Sequence, residues 1–215
     1  MVFSALSDLI FPKICIHCGK MAEESHQTLC SSCFDQIELL KQEGRCLRCF
    51  EENRLKICVR CQQLPASFKR IAGCFEHTGP AASLIDEFKH RGSYFMAKDL
   101  AALMVLQFFQ LNWPMPDFII PLPISSIHFF QRGYEQNRLL VQEMGRFLER
   151  PLLNILKKEI FADEISFKRR SEVSDRILLL VTDQIISDKE IRSCSELLQE
   201  GSPKAIYGLS FSCFK

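Results

Sequence analysis

Eight of the eleven cysteines stand in four Cys-x-x-Cys pairs before residue 62: Cys15/Cys18, Cys30/Cys33, Cys46/Cys49 and Cys58/Cys61. Two residues between thiols let both sulfurs meet one ion from a tight turn. Two such turns build the tetrahedral four-sulfur shell of structural zinc. Sequential pairing gives two zinc ribbons, Cys15, Cys18, Cys30, Cys33 and then Cys46, Cys49, Cys58, Cys61. Crossed pairing, first with third and second with fourth, satisfies the same spacing and stays open. A disulfide framework would need an oxidising compartment. A thioredoxin-type motif is one pair at the start of a helix, not four pairs in a loop-rich segment. Soft thiolate shells also accept iron, so the spacing favours zinc without excluding another ion. His17 and His26 lie between ligands, but four thiols already fill each shell, so both are read as exposed. Cys74, Cys194 and Cys213 are isolated and are read as small buried apolar residues.

The segment carrying these thiols is short of core. Ile14, Leu29, Ile37, Leu39, Leu40 and Leu47 cannot hold a fold of that size. Metal binding would supply the missing free energy, on the order of 10 kcal/mol per site. The expected organisation is a double zinc-ribbon module over residues 1–65 and a second domain over 66–215, with Pro65 at the exit.

Composition narrows the function. The 215 residues are 47% hydrophobic and 25% charged, an ordinary globular mix. With 27 basic and 26 acidic residues the net charge is +1, so no global field draws in nucleic acid or anionic membrane, and such binding needs a local patch. The longest apolar stretch, Leu100 to Phe109, falls well short of the roughly 20 residues that span a bilayer. Met1 to Phe11 lacks a basic n-region and a cleavage site, so no secretory signal and a cytoplasmic location are expected.

Residues 66–215 alternate strands with helices. Ala81, Leu84, Ile85 and Phe88 predict a helix over Gly79–His90, and a more buried helix follows over Ala97–Phe109. Asp117–Ile124 reads as a short strand, Tyr134–Leu148 as a helix and Arg176–Val181 as a buried strand. Asp188–Gln199 reads as a helix stopped by Gly201, and Lys204–Phe211 as the next strand. Strand, helix, strand at this end predicts a βαβ unit, hence an α/β fold with a mostly parallel sheet. Ligands in such folds bind beyond the carboxyl ends of the strands. Phe88–Ser93, Pro121–Arg138 and Thr182–Lys189 can reach that edge.

Here the motifs carry a resemblance. The Cys-x-x-Cys ribbons, FKHRG at Phe88–Gly92, PLPISSIHFFQRGYEQNRLL at Pro121–Leu140 and ILLLVTD at Ile177–Asp183 occur in the order seen in the ComF family. The chain resembles that family most specifically at Arg132, Gly133, Tyr134 and Gln136. The resemblance implies a zinc-ribbon segment followed by a phosphoribosyltransferase-type α/β domain. It also implies a role in natural competence, with single-stranded DNA and competence or recombination proteins as partners.

The phosphate loop departs from the family. Members usually place two adjacent acids, a hydrophobic pair and Thr-Thr-Gly-x-Thr after the buried strand, to hold phosphoribosyl pyrophosphate (PRPP). Here those positions read Thr182, Asp183, then Ser187, Asp188, Lys189 and Glu190. The glycine that lets backbone wrap a phosphate is missing. Asp188 and Glu190 put negative charge where a dianion would sit. Ser187-x-x-Glu190 matches a helix capping box, which would consume the amides a phosphate needs. Thr182, Asp183, Ser187 and Lys189 are thus read as a remnant of a PRPP loop, with little or no transferase activity expected and Mg2+ called for only by an active transferase.

The charge-rich stretch Lys157–Asp175 reads as a solvated loop. Lys89, His90, Arg91, Arg132 and Arg138 interleave with Tyr94, Phe129, Phe130 and Tyr134. Cations neutralise phosphates and aromatic faces stack single-stranded bases, so these five are candidate nucleic-acid or phosphate contacts. Three functions remain open from sequence: DNA handling on a transferase-like scaffold, active phosphoribosyl transfer, and a zinc-dependent protein adaptor.

Overall fold

The computed structural model describes residues 14–22, 28–63, 68–90, 92–123, 134–158, 165–168, 170–185 and 188–213; at His90 and at 188–190 it describes backbone only. Two short helices, α1 (Ser31–Phe34) and α2 (Val59–Gln63), sit in the cysteine-rich segment. The chain then runs β1 (Arg70–Glu76), α3 (Gly79–His90), α4 (Ala97–Gln110), β2 (Phe118–Pro121) and α5 (Gln136–Leu148). It continues through β3 (Leu156–Lys158), β4 (Ile165–Phe167), β5 (Ile177–Ile185), α6 (Asp188–Gln199) and β6 (Ala205–Cys213). None of the described helices is long and apolar enough to cross a membrane.

The main sheet has the order β1-β6-β5-β2 and every pairing in it is parallel. β5 lies inside this sheet with both faces covered, which is why its sequence is continuously apolar instead of alternating. Leu179 and Val181 join a core with Phe88, Met104, Phe108, Leu140 and Met144, from α3, α4 and α5. Leu178 and Leu180 face the other way, onto Ile155, Leu156, Val173, Ile191 and Leu198. The result is the α/β architecture with a parallel sheet that the alternating pattern predicts. Between α3 and α4 the chain turns at Gly92, whose φ of 68° a residue with a Cβ adopts only under strain.

Three elements differ from the expectation. β1 carries no period-2 alternation because five of its seven residues are buried, so its sequence shows no strand signature. Lys157–Asp175 is not a plain loop: β3 and β4 pair antiparallel there, and a 3-10 turn follows at Arg170–Val173. Their apolar residues Leu156 and Val173 are buried, which supplies the driving force that the surrounding charges hide. β5 also runs four residues past Val181, to Ile185, because β6 extends alongside it and pairs Gln184 with Ser212 and Ile185 with Cys213. Thr182 and Asp183 therefore sit in a strand rather than in a loop.

The turn after α6 shows how tightly this region closes. A Cβ on Gly201 would lie 2.3 Å from Val173 Cγ2 and 2.8 Å from the Arg170 carbonyl. Gly201→Ala is expected to destabilise the fold by about 1–3 kcal/mol, because that carbonyl is backbone and cannot step aside. Urea unfolding checks this, with the midpoint shifted and the slope unchanged.

Candidate functional site

The thiols gather as two sequential clusters. The sulfurs of Cys15, Cys18, Cys30 and Cys33 lie within 4.8 Å of one another, and so do those of Cys46, Cys49, Cys58 and Cys61. The two knuckles are built alike. Gly19 N–H donates to the Cys15 carbonyl at 3.0 Å and Phe50 N–H to the Cys46 carbonyl at 3.0 Å. Isolated antiparallel bridges join Ile14 to Met21 and Arg45 to Glu52. Gly19 and Phe50 both have positive φ, 72° and 66°. A phenylalanine is strained there, yet Phe50 is buried against the core of the α/β domain with the Arg45 guanidinium 5.4 Å from its ring centre. Burial of the ring offsets the backbone cost.

The donors suit a soft divalent ion. Burial pushes the Cys15 thiol up, but N–H groups of Cys18, Cys30 and His17 outweigh it and bring it down to about 6. Cys46 is likewise brought to about 6, burial being outweighed by N–H groups of Cys49, Cys58 and Arg48. Four convergent sulfurs with amides aimed at the thiolates fit tetrahedral zinc in a closed structural site. When bound, zinc would hold the knuckles together and offer no open position for substrate. His17 is exposed and pairs through Nδ1 with the Ser83 hydroxyl of α3 at 2.9 Å, tying the first ribbon to the α/β domain.

The carboxyl ends of the strands hold a second group of polar residues. Lys89, one residue from the end of α3, turns inward: its ammonium lies 3.3 Å from Asp183 Oδ2 and donates to Gln184 Oε1 at 2.6 Å. The side chains are only 9% and 10% exposed, so the two charges neutralise each other out of water. The Thr182 hydroxyl lies 3.3 Å from both Asp183 Oδ1 and the Gln184 carbonyl. Asn137 in the first turn of α5 accepts from Asp183 N–H at 2.7 Å and donates to the Leu122 carbonyl at 2.8 Å. It thereby pins the end of β5 to the segment leaving β2. The Tyr134 hydroxyl donates to the Phe88 carbonyl, joining the start of α5 to the end of α3.

Above these contacts runs a line of rings. Phe88 and Tyr134 have centroids 6.0 Å apart, Tyr134 and Tyr94 6.4 Å, and Tyr94 and Phe95 6.5 Å. Phe88 is fully buried, whereas Tyr94 and Phe95 are 65% and 68% exposed. Arg138, next to Asn137 on α5, is exposed as well. Arg91, Arg132 and Ser187 lie outside the described residues, and so do the side chains of His90 and Lys189 and with them the capping box at Ser187–Glu190. The structure thus brings together Lys89 of one motif with Thr182 and Asp183 of another, and it faces Lys89 inward. Asn137, Gln184 and Phe95 gave no separate signal in the sequence. Asn137 stands inside the Tyr134–Leu140 run, but the role of its amide depends on where Leu122 and Asp183 end up.

Comparison with known proteins follows the same two parts. A family described as "Double zinc ribbon domain" matches residues 6–62. Competence protein F of Haemophilus influenzae is 29% identical over 155 residues, covering 68% of this chain and 65% of that protein. DNA utilization protein YhgH of Escherichia coli K12 is 26% identical over 147 residues, covering 65% and 63%. The chain therefore spans a little under two thirds of the length of these relatives, 65% and 63%. A hypoxanthine-guanine phosphoribosyltransferase from Bacillus anthracis superposes with a TM-score of 0.37 at 9% identity, over 55% of this chain and 66% of that one. A hypoxanthine phosphoribosyltransferase from Staphylococcus aureus gives 0.33 at 12%, over 56% and 62%. The chain is a double-zinc-ribbon α/β protein. It resembles competence protein F, as its motifs indicate.

Two measurements check this site. Elemental analysis should return one zinc for each of the two clusters, and Cys58→Ser with Cys61→Ser should lose one of them. Asn137→Ala should cost about 2–4 kcal/mol in urea unfolding, since it strands a buried N–H and a buried carbonyl together.

Proposed function

We propose that this chain handles single-stranded DNA in a competence-related role, its α/β domain acting as a binding scaffold and not as a phosphoribosyltransferase. The names of its relatives, competence protein F and DNA utilization protein YhgH, support the process. The observation that carries the DNA reading is the ring line ending in Tyr94 and Phe95, two aromatic faces left about two-thirds in water. Unpaired bases stack on such faces at about 1–3 kcal/mol each whatever their identity. Arg138, with Arg132 six positions before it and Arg91 three positions before Tyr94, supplies the charge for the phosphates.

The scaffold reading rests on Asp183. An acid that binds ribose hydroxyls or Mg2+ must present its oxygens to the crevice. Here Lys89 satisfies the carboxylate from within, and Asn137 accepts from the backbone N–H of Asp183. Removing Lys89 from the pair would leave a bare charge in a dry site, so the pair resists exchange for ligand. The sequence of the following turn, Ser187-Asp188-Lys189-Glu190, adds repulsion for a phosphate.

Fluorescence anisotropy with a labelled oligothymidylate tests the binding. The affinity should fall with added salt and fall a further tenfold or so in Tyr94→Ala with Phe95→Ala. Binding that is absent, or indifferent to both changes, would overturn the DNA reading. Calorimetry with PRPP and Mg2+ tests the scaffold reading separately: no saturable heat is expected at millimolar ligand, and saturable heat would reject it.

A further inference from the structure

β1 is an edge strand, paired with β6 on one side only. Three of its backbone groups nonetheless have partners outside the sheet, from the cysteine-rich segment and from α4. Ile71 N–H donates to the Arg48 carbonyl at 2.8 Å, and Leu40 N–H donates to the Cys74 carbonyl at 2.9 Å. The Gln107 amide of α4 bridges the Leu40 and Gly73 carbonyls at 2.9 and 3.2 Å. Arg48 lies inside the Cys46–Cys49 knuckle, and its own position is set by sulfur: its N–H donates to Cys46 Sγ at 3.4 Å, and its guanidinium donates to the Cys61 carbonyl. The carbonyl that covers β1 is therefore part of the metal-site geometry.

This contact is a clasp of few points. A cavity of about 300 Å³ separates the second ribbon from the sheet, lined by Phe50 and Glu51 on one side and Ala72, Gly73, Ile185 and Cys213 on the other. Across it the ribbon is held by Phe50, by the Arg48 carbonyl and by Arg45, which pairs with Glu76 at 3.1 Å. Phe50 is packed in the core, whereas the other two contacts beside the cavity are polar, so losing one of the three loosens the edge.

We infer that the second four-cysteine site is a metal-dependent clasp: with the ion bound, the Cys46–Cys49 knuckle covers the edge of β1, and loss of the ion uncovers it. An uncovered edge offers unpaired N–H and carbonyl groups to any extended strand. The first site does not have this role, because its knuckles send no backbone group to β1 among the described residues. The device is independent of whether the protein binds DNA.

Amide exchange by NMR on the full chain tests it. In Cys58→Ser with Cys61→Ser, the Ile71 amide should exchange about 100-fold faster while Leu179 and Leu180 of β5 stay slow. A first-site variant, Cys30→Ser with Cys33→Ser, should leave Ile71 slow. Phe50→Gly relaxes the positive φ and removes the ring anchor; it should keep both metals and still speed Ile71 by about tenfold. An Ile71 rate unchanged in the second-site variant or in Phe50→Gly overturns the clasp. So does equal acceleration in the first-site variant, or loss of protection throughout β5, which would make the site part of the global fold.

Discussion

The Lys89–Asp183 pair decides what the carboxyl edge of this sheet can do. In an α/β fold that edge is where ligands meet polar groups, and an acid at the end of a central strand is the natural hook for a sugar or a metal. Here the hook is closed from inside. The lysine comes from the end of α3, the acid from β5, and Asn137 of α5 fixes the acid's own backbone. Three elements converge on one neutral, nearly dry cluster. Taking either charge away would leave its partner unpaired in low dielectric, which is far costlier than keeping the pair. Under the proposed scaffold reading the crevice keeps this pair, and the surface for a ligand lies beside it, on Tyr94 and Phe95.

The cysteine-rich segment and the sheet share one core. Residues 14–63 place Cys15, Leu29, Cys33 and Phe50 in the same core as Phe88 and Phe108. Ile37, Leu39 and Leu40 pack on it as well. A segment too poor in apolar residues to fold alone therefore gains from two sources, its metal sites and its docking on the α/β domain. The positive φ of Phe50 records that compromise. Where the first knuckle uses Gly19 freely, the second accepts strain so that a ring can reach the core.

Much of this was legible in residue types. The Cys-x-x-Cys spacing gave the four knuckles, because ligand geometry is local, whereas their sequential pairing, which spacing left open, is read from the structure. The run Ile177–Val181 gave β5 because only a strand buried on both faces is that apolar. Other features were hidden for equally physical reasons. β1 lacked alternation, and Leu156 and Val173 were masked by neighbouring charge. Lys89 looked like a phosphate contact because a lysine beside His90 and Arg91 suggests a basic rim. Its inward turn is a tertiary fact, set by Asp183 nearly a hundred positions away, and no local pattern encodes it. Asn137 was hidden in the same way: its two partners lie in β5 and in the segment that leaves β2.

The most direct test of the closed crevice is a double-mutant cycle in urea unfolding with Lys89→Met, Asp183→Leu and both together. The account predicts that each single change costs about 3–5 kcal/mol, while the double variant recovers a large part, leaving a coupling of about 2 kcal/mol or more. Near-neutral single variants that simply add would contradict it, because they would mean that Asp183 stands in solvent with its oxygens free to take a ligand.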